Sequence, residues 1–431
     1  MSKTLYDVII VGSGPSGVHT AYPLLEAGLK VAIIDGGLVG KFDKVSNKTN
    51  QILKIQSNIK INQSLAKGGL SEVWPGICDY FTPEELTKTG LPPEEITKEY
   101  EEISKIINLN VKPTLDMHSL SILKASNEVY TLPITYPYRT SSIVDDFKKF
   151  KNFTHISGEQ VIKVAEKKSK VEIQTLSTES STNTTFTAKE LIMAAGSINT
   201  TRILLRSFGL YNKKTPFLTK CNYMFICINP KTLLKKRIAE QTKPGQVAIS
   251  DKDFFVQFYR CNLSALEKAL PYIPLPKKIA SLIFRILSPY LVIADVRFET
   301  KENKKSFLKL KRISYDNDIL EIVFSQTKKE LELHKLKLKE VQRTLFKLGL
   351  FPVKMLKGEV TSHYANGVPI RNIPEILSCD SNGRLHQAKR IYIADSSTWY
   401  ILPAKPPTLT IMANASRIGK HVLKRFRNYY D

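Results

Sequence analysis

The sequence predicts an α/β protein whose Rossmann-like sheet is assembled from stretches far apart in the chain, with a second α+β part built on an antiparallel sheet. Three observations predict it. YDVIIVGSGPSG opens the chain with an apolar strand, a glycine loop and a helix start; strand runs resume around the polar turn SSTNTT in residues 155–195; and RIYIADSSTWYILPAKPPTLTIMANASRIGK, Arg390 to Lys420, ends another apolar strand in an acid before a helix begins. Short strands from the middle and end of the chain need a sheet to join, so the domain begun at the N-terminus is completed by later segments.

A chain of 431 residues buries a large core and has length for two or three domains. No apolar run reaches the roughly 18 residues that a membrane span requires. The first core strand starts too close to Met1 for a secretory leader, so the expected location is cytoplasmic, with the inner face of a membrane as a variant. The five cysteines, Cys78, Cys221, Cys227, Cys261 and Cys379, have neither CxxC nor metal-ligand spacing, so reduced thiols are expected and no metal. Lys plus Arg number 64 against 40 Asp plus Glu, a formal charge of +24. That field attracts anions, whether nucleic acid, an anionic membrane or a phosphorylated substrate. Most of the positive charge is lysine, the poorer reader of bases, which puts specific nucleic-acid recognition last.

Taken in order, Val8 to Val11 is a continuous apolar run, a helical stretch follows to Gly28 with Pro23 inside it as an expected kink, and KVAIID, Lys30 to Asp35, is a second apolar run. Strand, glycine loop, helix, strand is a βαβ unit. Residues 80–115 are charged with helical periodicity. In residues 215–325 short β-rich runs mix with aromatic and basic residues, and ISYDNDILEIVFS predicts a hairpin turning at Asp316 to Asp318. Leu331, Leu338, Val341, Leu345 and Leu348 mark one face of a long helix over 328–350.

In the first loop, Gly12, Gly14 and Gly17 stand at GxGxxG spacing. Gly12 permits the tight turn, Gly14 lets backbone approach a pyrophosphate, and Gly17 lets the helix pack on the strand. Asp35 then ends the second strand, where a carboxylate accepts hydrogen bonds from both ribose hydroxyls and argues against a 2′-phosphate. No second fingerprint of this kind follows a strand elsewhere, which points to electrons drawn from the substrate and not from a second nucleotide. SLAKGGLSEVWPG, Ser64 to Gly76, places two glycines, a serine and a tryptophan in one loop. From its residues it is either a backbone cradle for a phosphate or flavin edge with Trp74 over a ring, or a glycine turn with a core tryptophan.

The fingerprint, AKGGLSEVWPG, MAAGSINTTRILLRS (Met193 to Ser207) and the C-terminal block, with SHYANG ahead of it, occur in the order in which they do in the glucose-methanol-choline (GMC) oxidoreductases. The chain resembles that family, in particular its pyranose-oxidase-like branch. The resemblance implies a discontinuous Rossmann-like FAD-binding domain formed by residues 1–78, 152–211 and 355–431, and an α+β substrate domain formed by 79–151 and 212–354. It implies that Gly12, Ser13, Gly14, Pro15 and Ser16 hold the FAD pyrophosphate, with Gly17 behind them and Asp35 on the adenosine ribose. Gly68, Gly69 and Ser71 would lie along the pyrophosphate, ribityl chain and flavin. Val161 would offer its backbone to adenine, Ala195 and Gly196 would lie near the AMP half, Asp395 would meet the ribityl or pyrophosphate, and Thr408 would lie near the pyrimidine edge of the flavin. His363, the histidine of SHYANG, stands at the family's catalytic base position. It would take the hydroxyl proton of an alcohol while hydride leaves the same carbon for flavin N5, which suits an imidazole that titrates near pH 6.5.

Three positions depart from the family pattern. Val73 stands where some pyranose-type relatives carry the histidine that attaches FAD covalently, so FAD is expected to be dissociable. Ser207-Phe208 and Thr201 differ from the second signature. Pro406 stands where the family's second active-site residue, His or Asn, precedes a proline, and proline offers no side-chain donor or acceptor.

LPKKIASLIFRILSPYLVI, Leu275 to Ile293, places Ile279, Leu282, Ile283, Ile286 and Leu287 on one helical face with Lys277, Lys278 and Arg285 nearby. Such a helix either lies on an anionic membrane or packs on the substrate domain. The resulting expectation is an FAD-dependent oxidoreductase that oxidises a CH–OH group of a sugar or sugar derivative, phosphorylated or lipid-linked in view of the charge, and passes electrons to an unknown acceptor. The alternatives are a flavin reductase or desaturase acting on a membrane lipid or isoprenoid, and a basic flavoprotein that binds RNA.

Overall fold

The structure is a computed structural model that describes residues 4–109, 115–135, 138–232, 245–261, 276–314 and 317–430. Strand β1 (Leu5–Val11), helix α1 (Pro15–Glu26) and strand β2 (Val31–Ile34) form the first βαβ unit. Val8 to Ile10 and all four residues of β2 are fully enclosed, as continuous apolar runs must be in a parallel sheet covered on both faces. The remaining strands come from far along the chain. Phe153–Ile156 pairs parallel to β2, Asn183–Met193 parallel to β1, and Ile391–Ile393 parallel to Asn183–Met193. The first half of Asn183–Met193 continues an antiparallel meander with Val171–Ser177 and Glu159–Glu166, giving one seven-stranded sheet. The discontinuity expected from the sequence is thus a pairing fact.

The second part rests on a six-stranded sheet with Leu218–Ile228 between Leu291–Phe298 and Phe351–Ala365, all antiparallel. Because Phe351–Ala365 pairs with Leu218–Ile228 along its length, the expected boundary at 355 falls inside a strand of the second sheet. The first half of that strand is largely exposed, with the apolar Phe351, Val353 and Met355 left open. The helix Lys328–Lys347 starts with a capping box in which Thr327 and Glu330 satisfy each other's backbone. It buries Leu338, Val341 and Leu345, and its His334 stacks on Phe298 at 4.1 Å between ring centroids. The expected hairpin is present as Phe307–Ser314 against Asn317–Val323; of its turn, residues 315–316 lie outside the described residues.

Helix α1 contains Pro23 and continues to Glu26, and it packs closely on the C-terminal helix Thr408–Tyr430. A side chain at Gly419 would come within 2.6 Å of the Thr20 carbonyl and 2.9 Å of the Pro23 ring. Helix Pro93–Ile106, in the stretch read as charged with helical periodicity, packs against that same C-terminal helix: Lys420 bridges to Glu99 and Glu102. The apolar face of Lys277–Leu287 is left open. Ile279, Leu282, Ile283, Ile286 and Leu287 are all exposed, Leu282 at 61% and Ile286 at 54%, while Ala280 is buried.

Candidate active site

A cavity of about 420 Å³ opens at the carboxyl ends of β1 and β2 and runs toward the second sheet, the position where doubly wound folds hold their ligands. At its inner end the glycine loop is shaped by close contacts. Gly12, at φ +104°, would place a side chain 2.5 Å from the Ala194 carbonyl, and Gly17 would place one 1.8 Å from the Gly12 carbonyl. Gly14 is different: the nearest atom to a side chain there is the Gly68 carbonyl at 3.9 Å, so its bareness leaves room for a ligand. No side chain caps the start of α1, and its free N–H groups face the cavity walled by Gly12, Ser13, Gly14, Pro15 and Ser16. Gly17 itself is packing and not wall.

Asp35 is nearly buried at the edge of the cavity. Its Oδ1 accepts from the Gly37 N–H at 2.9 Å and its Oδ2 from His155 Nε2 at 2.9 Å. His155 carries no sequence signal, since only the parallel pairing of Phe153–Ile156 with β2 brings it there.

The second glycine loop closes over the first. Gly68 donates its N–H to Ser13 Oγ at 2.9 Å. Ser71 Oγ and Thr140 Oγ1 stand 2.7 Å apart, each within hydrogen-bond distance of the Gly68 carbonyl. Gly69 and Ser71 line the cavity together with Val73 and Trp74, whereas Gly68, at φ +85°, is not part of the wall.

Val161, Ala195, Gly196, Asp395 and Thr408 all line the same cavity. Gly196, at φ +80°, caps the helix Ser197–Ser207. Asp395 Oδ2 accepts from the Gly196 N–H at 2.9 Å and from Thr200 Oγ1 at 2.6 Å, while its Oδ1 accepts from the Ser397 N–H at 2.9 Å. Burial raises the pKa of Asp395, and the bonds from Ser397 and Thr200 oppose the rise. With Thr408 at the start of the C-terminal helix, three helix N-termini meet at one cavity, and each favours negative charge.

At the far end stand Ser362, His363 and Tyr364. The pairing of Phe351–Ala365 with its neighbour is interrupted here: Cys221 is opposite Val360 and Thr219 opposite Tyr364, so Thr361 to His363 bulge outward. Bulges re-aim side chains, and this one sets His363 into the cavity wall. Burial holds the His363 pKa well below 6.5, and the positive charges of Lys220 and Arg297 lower it further. The imidazole is therefore neutral at neutral pH, and its Nδ1 is enclosed without a partner among the described residues.

Sequence reasoning missed several wall groups. Gln63 is buried in the wall, yet neither atom of its amide has a partner among the described residues, nor has Asn199 Oδ1. Groups this deep are ordinarily bonded, so the cavity is shaped for a polar ligand. Gln63 belongs to no motif, and Asn199 lies inside MAAGSINTTRILLRS, where no residue type at that place marked it.

These features define an FAD-binding oxidoreductase with a Rossmann-like domain. The chain belongs to the pyridine nucleotide-disulphide oxidoreductase family, whose model matches residues 6–227. Its structure is similar to the crystal structure of pyridoxine 4-oxidase from Mesorbium loti, with a TM-score of 0.72 and 12% sequence identity over 97% of this chain and 99% of that one. At that identity the likeness is one of fold. All five cysteines are free and buried, so the disulphide in the family's description has no counterpart here. No helix among the described residues is long and apolar enough to cross a membrane.

Proposed function

We propose that this protein is a GMC-like FAD-dependent oxidoreductase that oxidises a CH–OH group of a small alcohol to a carbonyl, with His363 as the base. The observation that carries the reading is the neutral, cavity-lining imidazole of His363, whose Nδ1 has no partner among the described residues. A pyridoxine 4-oxidase of the same fold supports it, because the 4-position of pyridoxine bears a hydroxymethyl group. The cofactor is bound without a covalent link, since Val73 and not a histidine lines the cavity in that loop.

Gly12 to Ser16 and Asp35 hold the nucleotide half, and Gly69, Ser71, Asp395 and Thr408 hold the half that reaches His363. Bound FAD supplies the two-electron acceptor for the hydrogen that leaves carbon. The chain supplies the proton acceptor: His363 takes the hydroxyl proton as the C–O bond becomes double, and the resulting imidazolium faces the developing negative charge on oxygen. Trp74 and Tyr364 wall the same space and exclude water from it.

The proposed substrate is a sugar or sugar derivative, and the formal charge of +24 favours one that carries an anionic group. Anaerobic mixing of the flavin-loaded protein with polyols, sugars and sugar phosphates tests this. The expected result is bleaching of the flavin by one of them without a nicotinamide donor, and by a His363→Asn variant at least about 100-fold more slowly. Unchanged turnover in that variant would remove His363 from the mechanism.

The exposed apolar face of Lys277–Leu287, with the exposed Lys278 beside it, supports a peripheral contact with an anionic membrane and an amphiphilic substrate. Binding to phosphatidylserine vesicles that is lost on Leu282→Glu and Ile286→Glu is the expected outcome. Equal binding by that double variant would take the contact elsewhere.

A further inference from the structure

A second cavity, of about 290 Å³, lies between the turn at residues 380–384 and the last turns of the C-terminal helix Thr408–Tyr430. It is separate from the first. Thr408 opens that helix in the wall of the first cavity, and His421, where the helix enters the wall of the second, is about 20 Å further along the axis.

The turn forms one side of the wall. Asp380 Oδ1 accepts the N–H groups of Asn382 and Arg384, each at 2.9 Å, and its Oδ2 bridges to Arg384 Nε at 3.4 Å, so the single carboxylate of the wall is already committed. The helix forms the other side. His421, Lys424, Arg425 and Asn428 stand at i, i+3, i+4 and i+7 and therefore share one face, and all four line the cavity. Lys424, Arg425 and Asn428 have no hydrogen bond or ion pair among the described residues. Arg425 lies over the Tyr392 ring, 6.0 Å from its centroid, which occupies none of its N–H groups. Asn382 accepts from Arg417 Nη1 on its Oδ1 at 3.3 Å and keeps its amide N–H groups. The carboxylates next in line are engaged, Glu95 with Arg417 at 3.2 Å and Glu190 with Arg390 at 3.5 Å.

The wall is thus rich in donors and poor in acceptors, and it asks for a ligand that accepts. Two unpaired cations beside Arg384 match a phosphate monoester, which carries about two negative charges at neutral pH and offers three acceptor oxygens. No apolar side chain lines the cavity, so a nucleobase or an acyl chain finds nothing to pack on. We infer that this cavity is a second ligand site that binds a small hydrophilic phosphate ester, with its phosphate on Arg384, Lys424 and Arg425 and its hydroxyl groups on Asn382 and Asn428. The site stands apart from His363 and does not depend on the reaction proposed there. A bound phosphate lies against His421. Burial lowers the pKa of that imidazole, Asp380 opposes the fall, and Arg417, Arg425 and Arg384 add to it; a dianion beside it acts in the raising direction.

The flavin-loaded protein, in which FAD keeps phosphate from the start of α1, is titrated by calorimetry at constant ionic strength with inorganic phosphate and with glycerol phosphate. His421 is followed by ¹³C NMR of labelled histidine, assigned with His421→Asn. The expected result is saturable binding of both, tighter for glycerol phosphate, with a rise of about one pH unit in the His421 titration. Affinity should fall at least about 10-fold in Arg425→Gln and in Lys424→Gln; Lys424 is exposed, so its variant is expected to fold. Lys354→Gln, which removes an exposed cation from the second sheet, controls for overall charge and should bind as the unchanged chain does. An equal loss in Lys354→Gln would reduce the binding to the diffuse field of a chain of charge +24 and overturn the inference. Unchanged affinity in Arg425→Gln and Lys424→Gln with an unmoved His421 would overturn it as well. Glycerol phosphate bound no more tightly than inorganic phosphate would overturn the assignment to an ester.

Discussion

His155 Nε2 lies 2.9 Å from Asp35 Oδ2, across two adjacent parallel strands, while the Gly37 N–H holds the other carboxylate oxygen at 2.9 Å. A carboxylate only accepts, so His155 must donate, and that fixes its tautomer. The two donors together fix the plane of the carboxylate and so the direction in which it meets two ribose hydroxyls. His155→Phe removes one of them. A hydrogen bond to a charged group contributes about 1.5–3 kcal/mol, part of which is lost to reorientation, so FAD affinity should fall roughly 10-fold. Asp35→Ala should cost more, because it removes the ribose acceptor itself. Titration of the flavin-free protein with FAD, followed by flavin fluorescence, checks both, and equal affinity in His155→Phe would assign the orientation to Gly37 alone.

The glycine loop allows stability to be separated from binding. A methyl at Gly17 would sit 1.8 Å from the Gly12 carbonyl, whereas at Gly14 it would meet nothing closer than 3.9 Å. Gly17→Ala must therefore push α1 off β1, at a cost on the order of 1–3 kcal/mol or more for overpacking, seen as a drop in Tm of the flavin-free protein. Gly14→Ala should leave that Tm within a degree or two and instead weaken FAD binding by at least about 10-fold, since the methyl occupies the place of the pyrophosphate. Equal behaviour of the two variants in both measurements would contradict the division of roles.

The parts of this architecture that could be read from sequence are those in which one residue type is required by local geometry. Gly12, Gly14, Gly17 and Asp35 belong to a single βαβ unit whose turn and phosphate approach dictate them, and the antiparallel second sheet follows from alternating runs. Residues that depend on distant pairing could not be read. His155 reaches Asp35 through a strand that begins more than a hundred residues later, and His363 reaches the cavity wall on a bulge. Gln63 and Asn199 are recognised only by the partners they lack. The helix Lys277–Leu287 shows a further limit: its amphipathic pattern is the same whether its apolar face is covered or bare, and only the structure shows it bare.

His19 makes the stability of the fold sensitive to acid. It is completely enclosed in α1, with Nε2 2.6 Å from the Tyr138 hydroxyl and Nδ1 without a partner among the described residues. Burial lowers its pKa from 6.5 to about 3. Above pH 6.5 it is neutral in folded and unfolded chains alike and contributes no pH dependence. Between 6.5 and about 3 the unfolded chain binds a proton that the folded chain does not, so stability falls by about 1.4 kcal/mol per pH unit from this one group. His363, whose pKa is lowered by burial and by Lys220 and Arg297, acts in the same direction. Urea unfolding of the flavin-free protein between pH 7 and pH 5 should therefore show a steady loss of stability on acidification. His19→Gln, though less stable at pH 7 for the packing it disturbs, should show a shallower loss over the same range. A slope unchanged by that substitution would mean that His19 takes up its proton in the folded state, through an opening of the contact between α1 and Tyr138.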